Sequence, residues 1–285
     1  MLFLKEDSLD IDADQEYCYW YQQGKLLLED ECYREAIACY NQALTFRPDD
    51  YWSWYNRAFA LQELGRYEEA LKSLEEAEKS KPGDYWALYY YGRIALEELD
   101  QYEIALASFD KAIAVRKNDF WANYRRADAL RHLQRYPEAI AGYDAALAIK
   151  NDDYWSWCRR GDALRNLKRY SQAIASYDAA LNISPDSFWT WYKRGDTCRY
   201  LDDYQGAIFS YQQAIILKPD DNYAWYNQAC CAACLGLVDL CLSFLKQAIA
   251  LDFNNKKLAL TDPDFSQIRH LQQFKLLILE SSAKS

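Results

Sequence analysis

The chain has 285 residues, of which 51% are hydrophobic and 27% charged, so it has enough apolar side chains for a packed core and is not a disordered polymer. Its net charge of −10 argues against a general nucleic-acid-binding protein, because affinity for a duplex comes largely from neutralising phosphates. The sequence has no apolar run of about 18 residues that would predict a transmembrane helix, and its first residues lack the pattern of a secretory signal. Nine cysteines without a disulfide spacing are interpreted as free thiols, which predicts a cytoplasmic protein.

An acidic leader, residues 1–16, is predicted to be mobile and to precede a repetitive segment over residues 17–255. In this segment a small residue follows each cluster of Trp and Tyr, at a spacing of 34 residues and once of 35: Gly24, Ala58, Gly92, Ala127, Gly161, Gly195 and Ala229. Two further series of small residues keep the same period, with an aromatic or large apolar residue between them. A pattern that stays in phase this long predicts seven repeats of one structural unit.

Each repeat is predicted to form two helices. After a short polar turn, the second helix carries small residues at helical spacing, such as Ala173 and Ala180, with Tyr177 between them. The small residues let the two helices approach closely, and because neither helix can bury its face alone, successive pairs must stack. The one extra residue, near Asp100, falls in the turn of the third repeat, where an insertion costs least. An aspartate before an aromatic pair can cap the first helix in four repeats: Asp50, Asp84, Asp119 and Asp153.

The residue pattern resembles that of the tetratricopeptide repeat family. The resemblance covers all seven repeats, and in the fifth repeat the matching motif is Trp157, Gly161, Tyr170, Ala173, Tyr177, Ala180 and Pro185. It implies an all-α, right-handed superhelical α-solenoid of about seven helix pairs. Residues 256–285 look like the degenerate capping helix and tail that cover the open end of such a solenoid.

The resemblance also implies that the first helix of each repeat lines a concave groove, with ligand contacts at repeat positions such as 2, 5, 6, 9 and 12. The second position is Trp in five repeats and the fifth is Tyr in six. For the tryptophans, packing between repeats is the favoured interpretation, whereas the tyrosines are expected to be exposed and available to a ligand. The candidate partner-binding residues at these positions are Trp52, Tyr55, Asn56, Tyr89, Tyr90, Arg93, Tyr124, Arg125, Asp128, Arg131, Arg159, Asp162, Arg165, Tyr192, Lys193, Asp196 and Arg199.

Repeats four to six carry a charged triplet, defined as a cation, an Asp three residues later and an Arg three residues after that. These offsets put the three side chains on one helical face. One interpretation is a track for an acidic or carboxylate-ended polypeptide, since Arg binds carboxylates with two parallel hydrogen bonds. The other is that each Asp neutralises its neighbours and holds adjacent repeats in register. Four arginines one position further along the repeat are interpreted as structural: Arg57, Arg126, Arg160 and Arg194.

Nothing in the sequence predicts an active site or a cofactor. The two histidines, His132 and His270, stand in unrelated places, and no phosphate-binding loop or hydrolase motif is present. The residues do not match the family's two-carboxylate clamp for chaperone C-termini, because Asn never holds the ninth position. A cluster in the seventh repeat contains a Cys-x-x-Cys, which could bind a metal or change redox state. The favoured interpretation is that these cysteines are small hydrophobic residues and that no metal is bound: Cys230, Cys231, Cys234 and Cys241.

The sequence therefore predicts a non-catalytic scaffold or assembly adaptor that binds a protein or peptide in an aromatic, partly basic groove. Two alternatives stay open: a regulator that acts on an enzyme in trans, and a single-stranded RNA-binding repeat protein, in which Arg, Tyr and Trp would stack on bases. The net negative charge disfavours RNA. Self-association through exposed aromatic side chains is a further possibility.

Overall fold

The computed structural model describes the backbone of residues 6–280 and the side chains of residues 13–279. Over these residues the chain is all-α, with short turns between the helices and no strand. The helices form two compact units, one ending at Ile149 and the other beginning at Lys150.

The first unit contains four helix pairs, in which each helix packs against the next along the chain. Their bounds are α1 Glu6–Glu29, α2 Tyr33–Phe46, α3 Tyr51–Glu63, α4 Tyr67–Ser80, α5 Tyr85–Glu97, α6 Tyr102–Val115, α7 Phe120–His132 and α8 Tyr136–Ile149.

The second unit contains three helix pairs followed by a shorter C-terminal segment. Their bounds are α9 Tyr154–Asn166, α10 Tyr170–Ile183, α11 Phe188–Arg199, α12 Tyr204–Leu217, α13 Asn222–Cys234, α14 Val238–Leu251, α15 Asn255–Thr261, a 3₁₀ turn Pro263–Phe265 and α16 Gln272–Glu280. The seven pairs α1–α2 to α13–α14 correspond to the seven repeats in the sequence.

Helix α1 extends beyond the predicted first repeat toward the N-terminus. It begins at Glu6, so residues 6–16 of the segment predicted to be a mobile leader are helical, and residues 1–5 lie outside the described part. The carboxylate of Asp14 accepts a hydrogen bond from Arg47 Nη2 at 2.8 Å, and the same guanidinium lies 4.1 Å from the ring centroid of Tyr17. These contacts tie the acidic segment to the end of α2.

The predicted caps are confirmed. The Asp50 carboxylate accepts from the Ser53 amide at 2.7 Å, and Asp84 accepts from the amides of Trp86 and Ala87. Asp119 and Asp153 cap α7 and α9 in the same way. Because the first amides of a helix have no intrahelical acceptor, these side chains fix where each first helix begins. Ser187 and Asp221, which sequence reasoning did not single out, do the same for α11 and α13.

The turn inside each pair passes through one residue with a positive φ, such as Gly65 at 70° and Asp100 at 52°. The predicted extra residue lies here, because α5 ends at Glu97 and α6 begins only at Tyr102. The two helices of a pair then meet at their small residues. A Cβ atom added to Gly161 would lie 2.6 Å from the ring of Tyr177, so this close approach requires glycine.

Candidate functional site

The second-position tryptophans lie on the surface of the first helices, contrary to the interpretation that they pack between repeats. Their exposed fractions run from 45% to 65%: Trp52, Trp86, Trp121, Trp155 and Trp189. The aromatic residue just before each of them points inward instead, as Tyr51 and Tyr85 do at 8% and 4% exposure. Each indole stands edge-on to that inner ring, with centroids 4.9–5.1 Å apart. The indoles are therefore exposed but braced, which means that contact with the inner ring fixes their orientation.

The fifth-position tyrosines are largely buried, so the expectation that they are exposed is wrong. Tyr89 and Tyr124 are 9% and 8% exposed, and Tyr192 is partly buried. The cause is the second helix of the same repeat, which sequence reasoning on one helix did not include. The ring of Tyr89 meets Phe109 at 5.9 Å, and that of Tyr192 meets Tyr211 at 5.6 Å.

In the first unit, the cations on this face are held by neighbouring side chains. The Arg93 guanidinium lies over the ring of Tyr90 and donates to Gln62 Oε1 at 2.6 Å. Arg125 forms an ion pair with Glu97 on α5. These contacts join successive first helices.

The aspartate of the fourth-repeat triplet is buried. Asp128 is 7% exposed, and its Oδ1 accepts from the hydroxyl of Tyr143 at 2.7 Å and from Arg131 Nε at 3.2 Å. Tyr143 is fully buried on α8, so the carboxylate satisfies a hydroxyl that water cannot reach.

The two triplets of the second unit have the same arrangement. Asp162 accepts from the Tyr177 hydroxyl at 2.9 Å and from Lys193 Nζ at 2.8 Å, and Asp196 accepts from the Tyr211 hydroxyl at 2.6 Å. Burial raises the pKa of Asp196, against the hydrogen bond from Tyr211 and the nearby arginines. The geometry supports an internal role for all three aspartates. The cations stand nearer the surface, with Lys193 at 31% side-chain exposure.

Models of the tetratricopeptide repeat match residues 23–85, 94–154 and 188–221, and a model of the TPR repeat matches residues 161–197. The chain belongs to the tetratricopeptide repeat family. The stacked helix pairs are the helix pairs of its repeats.

Solved structures with the same fold have low sequence identity to the chain. The C-terminal part of a TPR repeat-containing protein from Cytophaga hutchinsonii has 19% identity and a TM-score of 0.70, over 83% of this chain and 97% of that one. YrrB, described as a TPR protein with an unusual peptide-binding site, has 21% identity and a TM-score of 0.58, over 65% and 95%. MamA from Desulfovibrio magneticus RS-1, from its residue 41 onward, has 24% identity and a TM-score of 0.56, over 58% and 93%. These likenesses show the fold alone. A comparison with curated proteins finds no match.

The repeats contain a bracing contact that sequence reasoning missed. At the fourth position the indole N–H donates to a backbone carbonyl six residues earlier, for example from Trp54 to Pro48 at 2.7 Å and from Trp157 to Asn151 at 2.9 Å. Where this position is Asn123, its amide nitrogen donates to the Asp119 carbonyl at 2.8 Å and also to the Lys117 carbonyl, six residues earlier, at 3.4 Å. The signal was present in the sequence as a Trp that recurs six residues after a Pro.

The four arginines interpreted as structural bond to second helices, either of their own repeat or of the repeat before it. Arg57 Nη1 donates to Ser73 Oγ, and Arg194 donates to both Asp178 and Ser210. Arg126 pairs with Asp110, and Arg160 donates to Ser176. This position therefore serves the repeat rather than a ligand.

Three of the four cysteines in the cluster are buried in the core of the sixth and seventh repeats, and Cys234 is half-buried. Cys230, Cys231 and Cys241 are at most 1% exposed, and burial raises the pKa of Cys231 and of Cys241 to about 12. A thiol held neutral in this way is a poor nucleophile and a poor metal ligand.

One group of three in the described part of the chain brings possible metal-ligand atoms within 4.8 Å of one another, namely Cys230, Asp262 and Asp264. Its carboxylates have partners in the fold. Asp262 accepts from the Tyr226 hydroxyl at 2.9 Å, and Asp264 accepts from Arg199 Nη2 at 2.8 Å. The group thus joins the seventh repeat to the C-terminal segment. None of the described helices is both long enough and apolar enough to span a membrane.

Proposed function

We propose that this tetratricopeptide repeat protein is a non-catalytic scaffold or assembly adaptor that binds a segment of another protein on its first-helix surface. We define that surface as the exposed side of the first helices around the second-position indoles. The observation that carries the proposal is the row of braced indoles at equivalent positions of successive repeats, Trp52, Trp86 and Trp121 in one unit and Trp155 and Trp189 in the other.

Bracing makes these side chains suited to binding. An indole offers a large apolar area and loses little conformational freedom when a partner covers it. Trp52, for example, touches the ring of Tyr51 at 4.9 Å and that of Tyr55 at 6.0 Å, so its orientation is fixed before a ligand arrives. Single exposed apolar residues are ordinary on protein surfaces, but five of one type at one repeat position are a patterned surface.

The cations on the same surface support an acidic segment or one that ends in a free carboxylate. Arg125, Arg159 and Lys193 keep 24%, 35% and 31% of their side chains exposed. Each already contacts a carboxylate of the chain, so a ligand would bind a cation whose charge is partly neutralised. We therefore expect the indoles to supply most of the affinity and the cations to supply a smaller, salt-dependent part.

The description of YrrB as a TPR protein with a peptide-binding site supports the same class of ligand. The buried carboxylates of the triplets weigh against RNA, because each triplet puts a negative charge between its two cations. A regulator of an enzyme would use the same surface and differ only in its partner.

Quantitative affinity capture tests the proposal. The wild-type chain and variants with Trp→Ala changes at Trp52 and Trp86, or at Trp155 and Trp189, are used to capture proteins from cells that express it. The matched control removes two exposed side chains from a second helix, with Phe209→Ala and Ile216→Ala, which are 52% and 62% exposed on α12. We expect the indole variants to lose the captured proteins by about tenfold, as for loss of an aromatic anchor, and the control to retain them.

Equal capture by all variants would show that the first-helix surface is not the binding site. Capture that disappears after ribonuclease treatment would favour the RNA-binding alternative. Neutral substitutions Arg125→Gln and Arg159→Gln then test the preference for an acidic segment, which predicts a smaller loss that grows at low salt.

A further inference from the structure

The fifth repeat lacks the aromatic residue that fills its neighbours. The fifth position is Tyr in six repeats, but here it is Cys158. In the sixth repeat Tyr192 packs on Tyr211 at 5.6 Å, and its hydroxyl accepts a hydrogen bond from Asn227 Nδ2 at 2.8 Å. The much shorter Cys158 side chain places its thiol 3.4 Å from Thr190 Oγ1. A whole phenol ring is therefore missing from this level of the second unit.

A cavity of about 350 Å³ lies beside Cys158, which we call the Cys158 cavity. A cavity of about 420 Å³ also lies beside Tyr192 in the sixth repeat, but it is lined by Asp196, Arg199 and Asp264 and not by a second-position indole. The volume of the Cys158 cavity exceeds what one aromatic ring needs, since an apolar cavity of about 150 Å³ can hold benzene. The cavity thus has room for a side chain that the chain itself does not provide.

The lining of the Cys158 cavity suits an aromatic side chain with a polar end. Trp155 and Trp189 stand at its edge, 57% and 65% exposed. Other indoles touch two rings, such as Trp189 on Phe188 and Tyr192, but Trp155 touches only Tyr154 among the described rings. One side of the Trp155 indole is therefore open toward the cavity.

The polar end of such a side chain would meet Lys193. In the sixth repeat, the tyrosine hydroxyl bonds to Asn227, which holds the sixth position of the next repeat. The residue in the same relation to Cys158 is Lys193, whose Nζ lies 2.8 Å from Asp162 Oδ2 and which also lines the cavity. An ammonium group has three N–H donors, so Lys193 can keep Asp162 and still donate to a phenol oxygen.

We propose that the Cys158 cavity is a specificity pocket for a tyrosine side chain of the bound segment. The ligand's ring takes the place of the missing fifth-position ring and packs against Trp155, while its hydroxyl accepts from Lys193. This inference rests on the proposed function, since it names which side chain of the partner is recognised and where.

The test uses peptides of about twelve residues, the length of an extended recognition segment, selected from a random displayed library on the full wild-type chain. Binding of a fluorescein-labelled selected peptide is measured by anisotropy. Cys158→Tyr fills the cavity with the residue that six other repeats carry, and Cys158→Ala is the matched control that leaves it open. Circular dichroism and thermal melting check that both variants fold.

We expect the selected peptides to share a tyrosine. Changing it to Ala and introducing Cys158→Tyr should each weaken binding by about tenfold or more, whereas Cys158→Ala should change it little. The two losses should not add, because the peptide's tyrosine ring and the ring introduced by Cys158→Tyr would occupy the same space. A double-mutant cycle measures this. Lys193→Gln should weaken the tyrosine peptide more than its Phe counterpart. If Cys158→Tyr does not fold, the Tyr→Ala change in the peptide and Lys193→Gln carry the test.

Failure of this inference differs from failure of the proposed function. Peptides that bind wild type and Cys158→Tyr equally but lose affinity with Trp155→Ala and Trp189→Ala would overturn the pocket and leave the surface standing. Selected peptides that need no aromatic residue for binding would likewise overturn the pocket and leave the surface standing. If the wild-type chain selects no peptide, the proposed function fails and the pocket with it.

Discussion

At the scale of single residues, an aspartate on the first helix goes together with a tyrosine on the second. The pairs Asp128–Tyr143, Asp162–Tyr177 and Asp196–Tyr211 are each joined by a hydrogen bond of 2.6–2.9 Å. In the repeats whose second-helix residue has no hydroxyl, the ninth position on the first helix is not Asp. The pairs of first-helix and second-helix residues there are Phe59 and Leu74, Arg93 and Phe109, and Cys230 and Leu245. The main role of the triplet aspartates is therefore to accept hydrogen bonds from buried hydroxyls rather than to contact a ligand.

The first repeat breaks this rule and supplies a test. Its Tyr40 is fully buried, but Lys25 stands where the aspartate would be, and the Tyr40 hydroxyl has no hydrogen-bond partner in the described part of the chain. We expect Tyr177→Phe to lower the free energy of unfolding by about 2 kcal/mol, because it removes a buried bond to a carboxylate. Tyr40→Phe removes an unpaired hydroxyl and should be neutral or stabilising. Urea denaturation of both variants measures this, and equal losses would contradict the role given to the aspartates.

At the scale of helices, the sequence predicts much of the fold because close helix packing restricts which residues can stand at certain positions. Gly161 is small because the Tyr177 ring lies against it, and Asp84 precedes a helix because amides need an acceptor. The candidate site was harder to predict. Trp52 and Tyr55 occupy the same helix, but the exposure of each depends on which rings of adjacent helices lie against it. A repeat position alone does not contain that information.

The cap of α5 gives a prediction at this scale. The Asp84 carboxylate accepts from two amides, from the Tyr51 hydroxyl at 2.7 Å and from Lys81 at 2.8 Å. Burial acts to raise the pKa of Asp84, but these bonds outweigh it and the pKa is lowered. Asp84→Ala should cost about 2 kcal/mol of unfolding free energy at neutral pH. Because the folded-state pKa lies below the unfolded one, this contribution is present above the unfolded pKa and is lost as the pH falls.

Thermal melting of wild type and Asp84→Ala between about pH 3 and pH 7 measures the difference, which should be largest at pH 7 and shrink toward pH 3. Asp49→Ala is the control, because Asp49 is an exposed aspartate in the turn before α3 and caps no helix. A difference that does not change with pH would mean that the cap acts only through its geometry.

At the scale of the whole molecule, each repeat depends on its neighbours, so an end must be covered. Phe265 and Phe274, from the segment after the last repeat, are at most 1% exposed. The Phe265 ring packs against Tyr226 of the seventh repeat at 5.7 Å and against Phe274 at 5.9 Å. We therefore propose that the C-terminal segment is the cap that the sequence predicts, since it supplies apolar contacts that an eighth repeat would otherwise supply.

Phe265→Ala should therefore weaken the end of the chain and not the whole of it. Removing a fully buried Phe costs about 3–5 kcal/mol, but in a repeat protein this loss falls on the repeats that share the contact. Hydrogen exchange should rise over α13 to α16 and stay unchanged over α3 to α6. Phe253→Ala, which removes a 52% exposed ring close to the same junction, should change neither region. Faster exchange in both regions after Phe265→Ala would instead mean that the repeats unfold together. The effect stays local only if the end of the chain opens at a lower free energy than the unfolding of the whole chain.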